Sequence, residues 1–79
     1  MDDPQFVEAF ASRLMQCRHR QGLTQEDVAR AAQITLRTYT RYEKGQTLPQ
    51  AAILARLAQV LDVSIDMLLH GHERGEAHA

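Results

Sequence analysis

The sequence predicts an all-α fold of five helices in a single small domain of 79 residues. Three observations carry this prediction. Apolar residues recur every three or four positions through most of the chain. Residues that favour helix N-caps, namely Asp3, Thr24, Thr35 and Ser64, stand before the apolar segments. No segment shows the alternating pattern that is typical of a strand.

The first helix is predicted to begin at Asp3-Pro4, where a capping carboxylate precedes a proline at the first helical position. It ends at Gly22, a residue suited to a left-handed cap. Its apolar face consists of Phe6, Phe10, Leu14 and Cys17. Because the single cysteine lies on that face, we expect a buried structural thiol rather than a redox sensor.

The segment 24–45, TQEDVARAAQITLRTYTRYEKG, predicts two short helices joined by a tight turn. Thr24 with Asp27 starts one helix, and Thr35 caps the next, which runs from Leu36. The inward stripes of the two helices are Val28, Ala29 and Ala32, then Tyr39 and Tyr42. The side chains left facing outward are Leu36, Arg37, Thr40, Arg41 and Lys44. A helix with such an outer face, braced by a small-residue helix behind it, is what reading a DNA major groove requires.

A fourth helix is predicted over residues 50–61 and a short fifth helix over the segment SIDMLLH, capped by Ser64 and ended by Gly71. The inward residues of the fourth helix are Ile53, Leu54, Leu57, Ala58 and Leu61. Residues 71–79 are polar and glycine-punctuated, so we expect a flexible tail after a domain of residues 1–70.

Although the net charge of the chain is −1, the central part of the sequence is basic. Residues 13–44 hold seven arginines and lysines against three carboxylates, a net charge of +4, whereas residues 1–12 carry −3 and residues 45–79 carry −2. Local charge matters more than the total because salt screens distant charges. The distribution indicates one basic face, although an ordinary solvated mixture of charges would look similar.

With these motifs in place, the chain resembles the phage repressor and Cro-like (Xre-type) helix-turn-helix family over roughly residues 10–70. The matching positions are Thr24-Gln25, Val28-Ala29, the turn at Gln33, Thr35, Thr38, Tyr39, Glu43-Lys44-Gly45 and the run LARLAQVLDVSIDMLL. The resemblance implies a compact five-helix repressor-like domain that binds double-stranded DNA through its third helix.

Residue by residue, the resemblance implies that Leu36, Arg37 and Arg41 face base edges. An arginine can donate two parallel hydrogen bonds to guanine. Thr40 is expected to reach a base or a phosphate. A leucine stands where the family usually has a polar residue, so Leu36 either packs on a thymine methyl or belongs to a protein-contact surface. A solvated helix face is the alternative for the arginines.

Phosphate contacts are expected from Gln25, which resembles the family glutamine that grips a phosphate and braces the recognition helix. The N–H groups at a helix start suit an anion. Lys44 is expected to supply charge to the backbone. For Arg13 and Arg20 the sequence leaves two roles open, phosphate contact or simple solubilisation of the first helix.

Arg18 and Glu43 resemble a family ion pair that ties the first helix to the third, so Arg18 is interpreted as structural. Two departures from the family pattern bear on local geometry. Gln33 replaces a common glycine and must adopt a left-handed conformation or reshape the turn. Tyr39 replaces Ile or Val in the core, so its hydroxyl needs a partner.

One recognition helix covers too few base pairs for genomic specificity, so we expect a homodimer on paired half-sites. The candidate interface is the fifth helix and its approach: Val60, Val63, Ile65, Met67, Leu68 and Leu69. The alternative is that most of these residues close the core beneath the first helix.

Other functions find little support. His70, His72 and His78 lie in or beside the tail without carboxylates or cysteine around them, so no metal site or cofactor is expected. No nucleophile, base and orienting acid assemble, and an enzyme is therefore not expected. The acidic start and the lack of a long apolar run favour a cytoplasmic protein without a membrane span.

Two classes of function remain. The first is a DNA-binding transcriptional regulator, a repressor in the simplest case, that occludes or recruits polymerase. The second is a protein-interaction module on the same scaffold, such as an antitoxin that binds a toxin. Few residues lie outside the shared core to form a toxin-binding surface, which favours the regulator.

Overall fold

The computed structural model describes residues 3–72 and contains five α-helices in that range. They are α1 (Pro4–Arg20), α2 (Gln25–Ala31), α3 (Leu36–Glu43), α4 (Ala51–Leu61) and α5 (Ile65–His70). The prediction of an all-α fold of five helices is confirmed. The predicted tail falls mainly on residues 73–79, outside the described range, and so does His78.

The helix starts follow from local capping. Asp3 accepts a hydrogen bond from the backbone N–H of Gln5 at 3.0 Å. At α2 the Thr24 hydroxyl accepts from Asp27 N at 3.0 Å, and the Asp27 carboxylate accepts from Thr24 N at 2.9 Å, which completes a capping box. At α3 and α5 the Thr35 and Ser64 hydroxyls accept from Thr38 N at 3.1 Å and from Met67 N at 2.9 Å. These bonds satisfy N–H groups that a helix start leaves unpaired.

Two residues other than glycine adopt the left-handed conformation among the described residues. Gln33 has φ 63°, so of the two predicted alternatives for the turn between α2 and α3 the structure shows the left-handed conformation. Asp62, which ends α4, has φ 58° and was not predicted. Aspartate tolerates this region better than most side chains, so the α4–α5 turn needs no glycine.

The core lies between the five helices: α1 packs on α3 and α5, α2 packs on α3 and α4, and α4 packs on α5. Its largest fully buried side chains are Phe10, Leu14, Val28, Tyr39, Leu57, Leu61 and Leu68. Leu68 is 0% exposed, so its predicted place in a dimer interface is wrong: it closes the core of its own chain. Leucine spacing on so short a helix cannot by itself show which side faces inward.

Arg13 has a role that the sequence did not predict. Its Nε donates to the carbonyl of Leu68 at 2.9 Å, and its Nη2 donates to that of Leu69 at 2.6 Å. A cation at a helix C-terminus also matches the negative end of the helix dipole. Gly71 lies against this side chain, and a Cβ there would come within 3.4 Å of Arg13 Cδ. The structure therefore gives the Arg13 guanidinium a structural role as a cap of α5, and its contact with a phosphate stays a prediction.

Within residues 3–72, none of the helices combines the length and the apolarity needed to cross a lipid bilayer.

Candidate nucleic-acid interface

The third helix has one buried face and one exposed face. Tyr39, Tyr42 and Glu43 are buried, with 0%, 5% and 7% of their surfaces exposed. Arg37 and Arg41 are exposed, and Leu36 is 40% exposed, as the helical spacing predicted. The helix is thus fixed to the domain by one side and offers the other to a partner.

The turn between α2 and α3 fixes the angle at which α3 leaves the domain. Ile34 N donates to the Ala29 carbonyl at 3.0 Å, and Gln33 N donates to that of Arg30 at 3.1 Å. Arg56 Nη1 donates to Gln33 Oε1 at 3.2 Å, which attaches the turn to α4. Backbone hydrogen bonds to α2 and a side-chain hydrogen bond to α4 therefore stabilise the left-handed conformation of Gln33.

Glu43, the last residue of α3, accepts hydrogen bonds from three elements. Arg18 on α1 donates to it through Nε at 2.6 Å and through Nη2 at 3.1 Å. Gln25 Nε2, at the start of α2, donates to Oε1 at 2.8 Å. The buried Tyr39 hydroxyl donates to Oε2 from one turn earlier in α3. This carboxylate joins α1, α2 and α3 at one point.

The electrostatics of this group favour its charged form. Burial alone would raise the pKa of Glu43, but the hydrogen bonds from Arg18, Tyr39 and Gln25 outweigh burial and hold that pKa below its ordinary value. The hydrogen bond to Glu43 raises the pKa of Arg18 against the opposing effect of burial. Burial, with the hydrogen bond to Glu43, raises the pKa of the Tyr39 hydroxyl. The cluster therefore contains one anion and one cation over the working pH range.

The side chains expected at base edges all lie on α3, but they differ in how much freedom they have. Arg37 and Arg41 make no hydrogen bond or ion pair through their side chains to other residues in the described range. Thr40 is half-buried, and its hydroxyl donates to the Arg37 carbonyl at 3.0 Å. Thr40 is therefore left with lone pairs and a methyl group for any further contact.

The residues expected at phosphates are more scattered. Lys44 and Arg20 are exposed, at the C-cap of α3 and at the end of α1. Gln25 is half-buried, and its bond to Glu43 leaves its amide oxygen and backbone N–H unassigned. The resemblance implied that Gln25 braces α3, and the Tyr39 hydroxyl was expected to need a partner, but Glu43 was not predicted as the acceptor for either. The four-residue spacing of Tyr39 and Glu43 was a readable signal, because such residues are neighbours on a helix.

The residues expected at a dimer interface separate into two groups. Val60, Val63, Met67 and Leu69 are half-buried and pack against the core. Ile65, the first residue of α5, is 40% exposed. No group of three or more residues that commonly bind metals lies together in the described part of the chain.

Comparison with known proteins gives consistent matches. A family model described as helix-turn-helix matches residues 14–68. Three proteins of Bacillus subtilis (strain 168) named as uncharacterized HTH-type transcriptional regulators align over 62 residues, 78% of this chain. YqaE is 40% identical, with 53% of its length covered, and the SPbeta prophage-derived YonR is 39% identical, with 57% covered. YazB is 38% identical, with 90% covered. The chain thus spans about half the length of YqaE and YonR.

A solved structure shares the arrangement of helices. The apo form of the competence regulator ComR from Streptococcus vestibularis superposes with a TM-score of 0.75 at 30% sequence identity. The match covers 87% of this chain and 23% of ComR, so it concerns one part of a much larger protein.

Proposed function

Since this chain belongs to the Xre-type helix-turn-helix family of DNA-binding transcriptional regulators, we propose that it reads a specific duplex sequence with α3 and represses transcription as a homodimer. In this proposal Leu36, Arg37, Thr40 and Arg41 face the bases in the major groove. Gln25, Lys44 and Arg20 face phosphates, which set the register without reading sequence.

One observation supports this function above the others. The two arginines of α3 are exposed, while the opposite face of the same helix is buried and anchored through Glu43 to α1 and α2. A base-reading helix needs both properties, because its side chains must be available and its axis must not shift when they bind. A surface that served only solubility would not need the anchor.

A dimer on an inverted repeat is the arrangement that we propose for specificity. One domain reads only a few base pairs, and a two-fold axis relating two domains presents two α3 helices to half-sites about one turn of duplex apart. Ile65 and its half-buried neighbours Val60 and Val63 form the proposed contact between subunits. Repression then follows when the bound dimer covers a site that polymerase needs.

The test is selection from a randomised duplex pool with the purified, folded protein at about 150 mM salt, near physiological ionic strength. Enrichment of an inverted repeat supports a DNA-reading dimer, and the enriched half-site gives the bases that face α3. No enrichment by folded protein would contradict sequence-specific reading. The helix-turn-helix would then serve as a scaffold for a protein partner such as a toxin.

A further inference from the structure

We propose that Leu36 recognises the C5-methyl group of a pyrimidine in the major groove, so that this chain reads one base position by an apolar contact. The ligand chemistry is a methyl group at C5, which thymine and 5-methylcytosine share. This inference rests on the proposed function and adds the chemistry of one of its contacts.

The position of Leu36 is the first observation. It is the first residue of α3 and directly precedes Arg37, one of the exposed arginines. Leu36 is 40% exposed, which makes it one of three exposed large apolar residues in the described range. It borders an open recess, and the other residues that line this recess are Arg18, Gly22, Leu23, Thr24, Gln25 and Glu26. The leucine is held at the start of the helix and points away from the core.

The charged residues near Leu36 indicate which class of partner can bind there. The exposed residues that follow on α3, Arg37 and Arg41, are cations, and residues 13–44 carry a net charge of +4. A polyanion complements this face, whereas an apolar protein surface would bury two unpaired guanidinium groups beside the leucine. Duplex DNA is therefore the occupant that satisfies both the leucine and the arginines.

Within a major groove the C5-methyl group is the one apolar substituent that projects from the base edges. The edges of guanine, adenine and cytosine present hydrogen-bond donors and acceptors, and thymine adds a methyl group beside its acceptor. Leucine cannot pair with a donor or acceptor, and covering one without pairing it costs free energy. A C5-methyl group is thus the single base feature that Leu36 can cover with a gain.

The expected size follows from the burial of one methyl group. Removing it is expected to weaken binding about fourfold, the effect of one buried carbon group. This change is small, so it must be measured as a difference between duplexes that are otherwise identical.

The experiment starts from the half-site obtained by pool selection. Each thymine of the half-site is replaced in turn by deoxyuridine, which pairs identically and lacks only the methyl group. Affinities are measured for the wild type and for Leu36→Ala, with circular dichroism to verify that the variant is folded. At one position the wild type is expected to lose about fourfold, whereas Leu36→Ala loses little.

A second pair of duplexes distinguishes the two sources of the methyl group. At the sensitive position, the thymine is replaced by cytosine or by 5-methylcytosine. The wild type is expected to bind the methylated duplex about fourfold more tightly, and Leu36→Ala is expected to bind both alike. Tighter binding of the wild type to the 5-methylcytosine duplex than to the cytosine duplex would show that methylated cytosine is a ligand as well.

Three results would overturn the inference. If the half-site contains no thymine, or if no uridine substitution affects the two proteins differently, then Leu36 does not read a methyl group, while the proposed function stands. If folded wild-type protein enriches no site at all, the proposed function and this inference fail together.

Discussion

The guanidinium of Arg18 on α1 and the carboxylate of Glu43 on α3 form a two-point ion pair, with Nε–Oε2 at 2.6 Å and Nη2–Oε1 at 3.1 Å. Arg18 also donates through Nη1 to the Leu23 carbonyl at 2.9 Å, in the turn that leads to α2. One side chain therefore connects the first helix, the following turn and the end of the recognition helix. A parallel pair of hydrogen bonds fixes orientation as well as distance.

Replacing one partner of this pair is expected to destabilise the fold strongly. Arg18→Met leaves Glu43 buried without its cation, and such a change costs about 3 kcal/mol in the free energy of unfolding. Arg18→Met/Glu43→Gln is expected to cost less than the sum of the single variants, because it leaves no unpaired buried charge. Urea denaturation of the four proteins measures the coupling.

Arg20→Ala is the matched control for this series, because Arg20 is exposed two residues further along α1. It is expected to change stability by less than about 0.5 kcal/mol. Additive effects of Arg18→Met and Glu43→Gln would show that the pair contributes no coupling to the fold.

Tyr39→Phe tests the third donor to Glu43. The ring stays in the core, and only the hydrogen bond from the hydroxyl to the carboxylate is lost. The expected cost is about 1.5 kcal/mol, the lower end for a bond to a charged group, because Glu43 keeps its other donors. Tyr42→Phe is the control, since the Tyr42 hydroxyl makes no hydrogen bond to any residue in the described range. Equal losses in the two variants would contradict a specific contribution from Tyr39.

The pH dependence of the free energy of unfolding tests independently whether the pKa of the Glu43 carboxylate is lowered. The folded protein lowers the pKa of Glu43 from its ordinary value of 4.5, so the unfolded chain takes up this proton first as the pH falls. Its contribution is complete above about pH 4.5 and is lost as the pH falls through the lower folded pKa. We therefore expect Glu43→Gln to destabilise the protein more at pH 7 than at pH 3. A penalty that is constant across this range in thermal unfolding would contradict the lowered pKa.

The helices were predictable because their signals are local. Asp3, Thr24, Thr35 and Ser64 each cap the helix that follows them, and all four form the expected bonds to backbone N–H groups. The left-handed conformation of Gln33 was one of two outcomes that the resemblance to the family implied, because glycine is common at this turn position. Such features depend on residues within four positions of each other, which a sequence shows directly.

The long-range contacts were harder to predict because they depend on how the helices pack. Arg13 caps α5 from 55 residues away, and nothing in its own helix distinguishes it from the exposed Arg20. Leu68 was expected at a subunit interface, yet it is buried in the core. On a helix of six residues, the direction of the apolar face is set by the neighbouring helices rather than by the pattern.

Base reading by α3 predicts different effects for arginines that have similar exposure. Arg37→Ala and Arg41→Ala are each expected to weaken binding to the selected operator by about 1–3 kcal/mol, with little change in binding to random duplex beyond the loss of charge. Arg30→Ala is the control, because this exposed arginine lies on α2 and pairs weakly with Asp27. Fluorescence anisotropy at fixed salt gives the affinities. Equal losses on operator and random duplex would assign the arginine to phosphate contact.

The proposed subunit contact can be tested with two exposed apolar residues that lie on different helices. Ile65 on α5 is 40% exposed, and Met15 on α1 is 37% exposed. Ile65→Lys is expected to weaken dimerisation roughly tenfold or more, since burying an isoleucine side chain contributes about 1.5–3 kcal/mol and the lysine charge would be desolvated. Met15→Lys adds the same charge outside the proposed interface and is expected to leave the dimer intact. Sedimentation equilibrium measures both. If Met15→Lys, and not Ile65→Lys, produces monomers, the two-fold contact lies on α1 and the proposed interface is wrong.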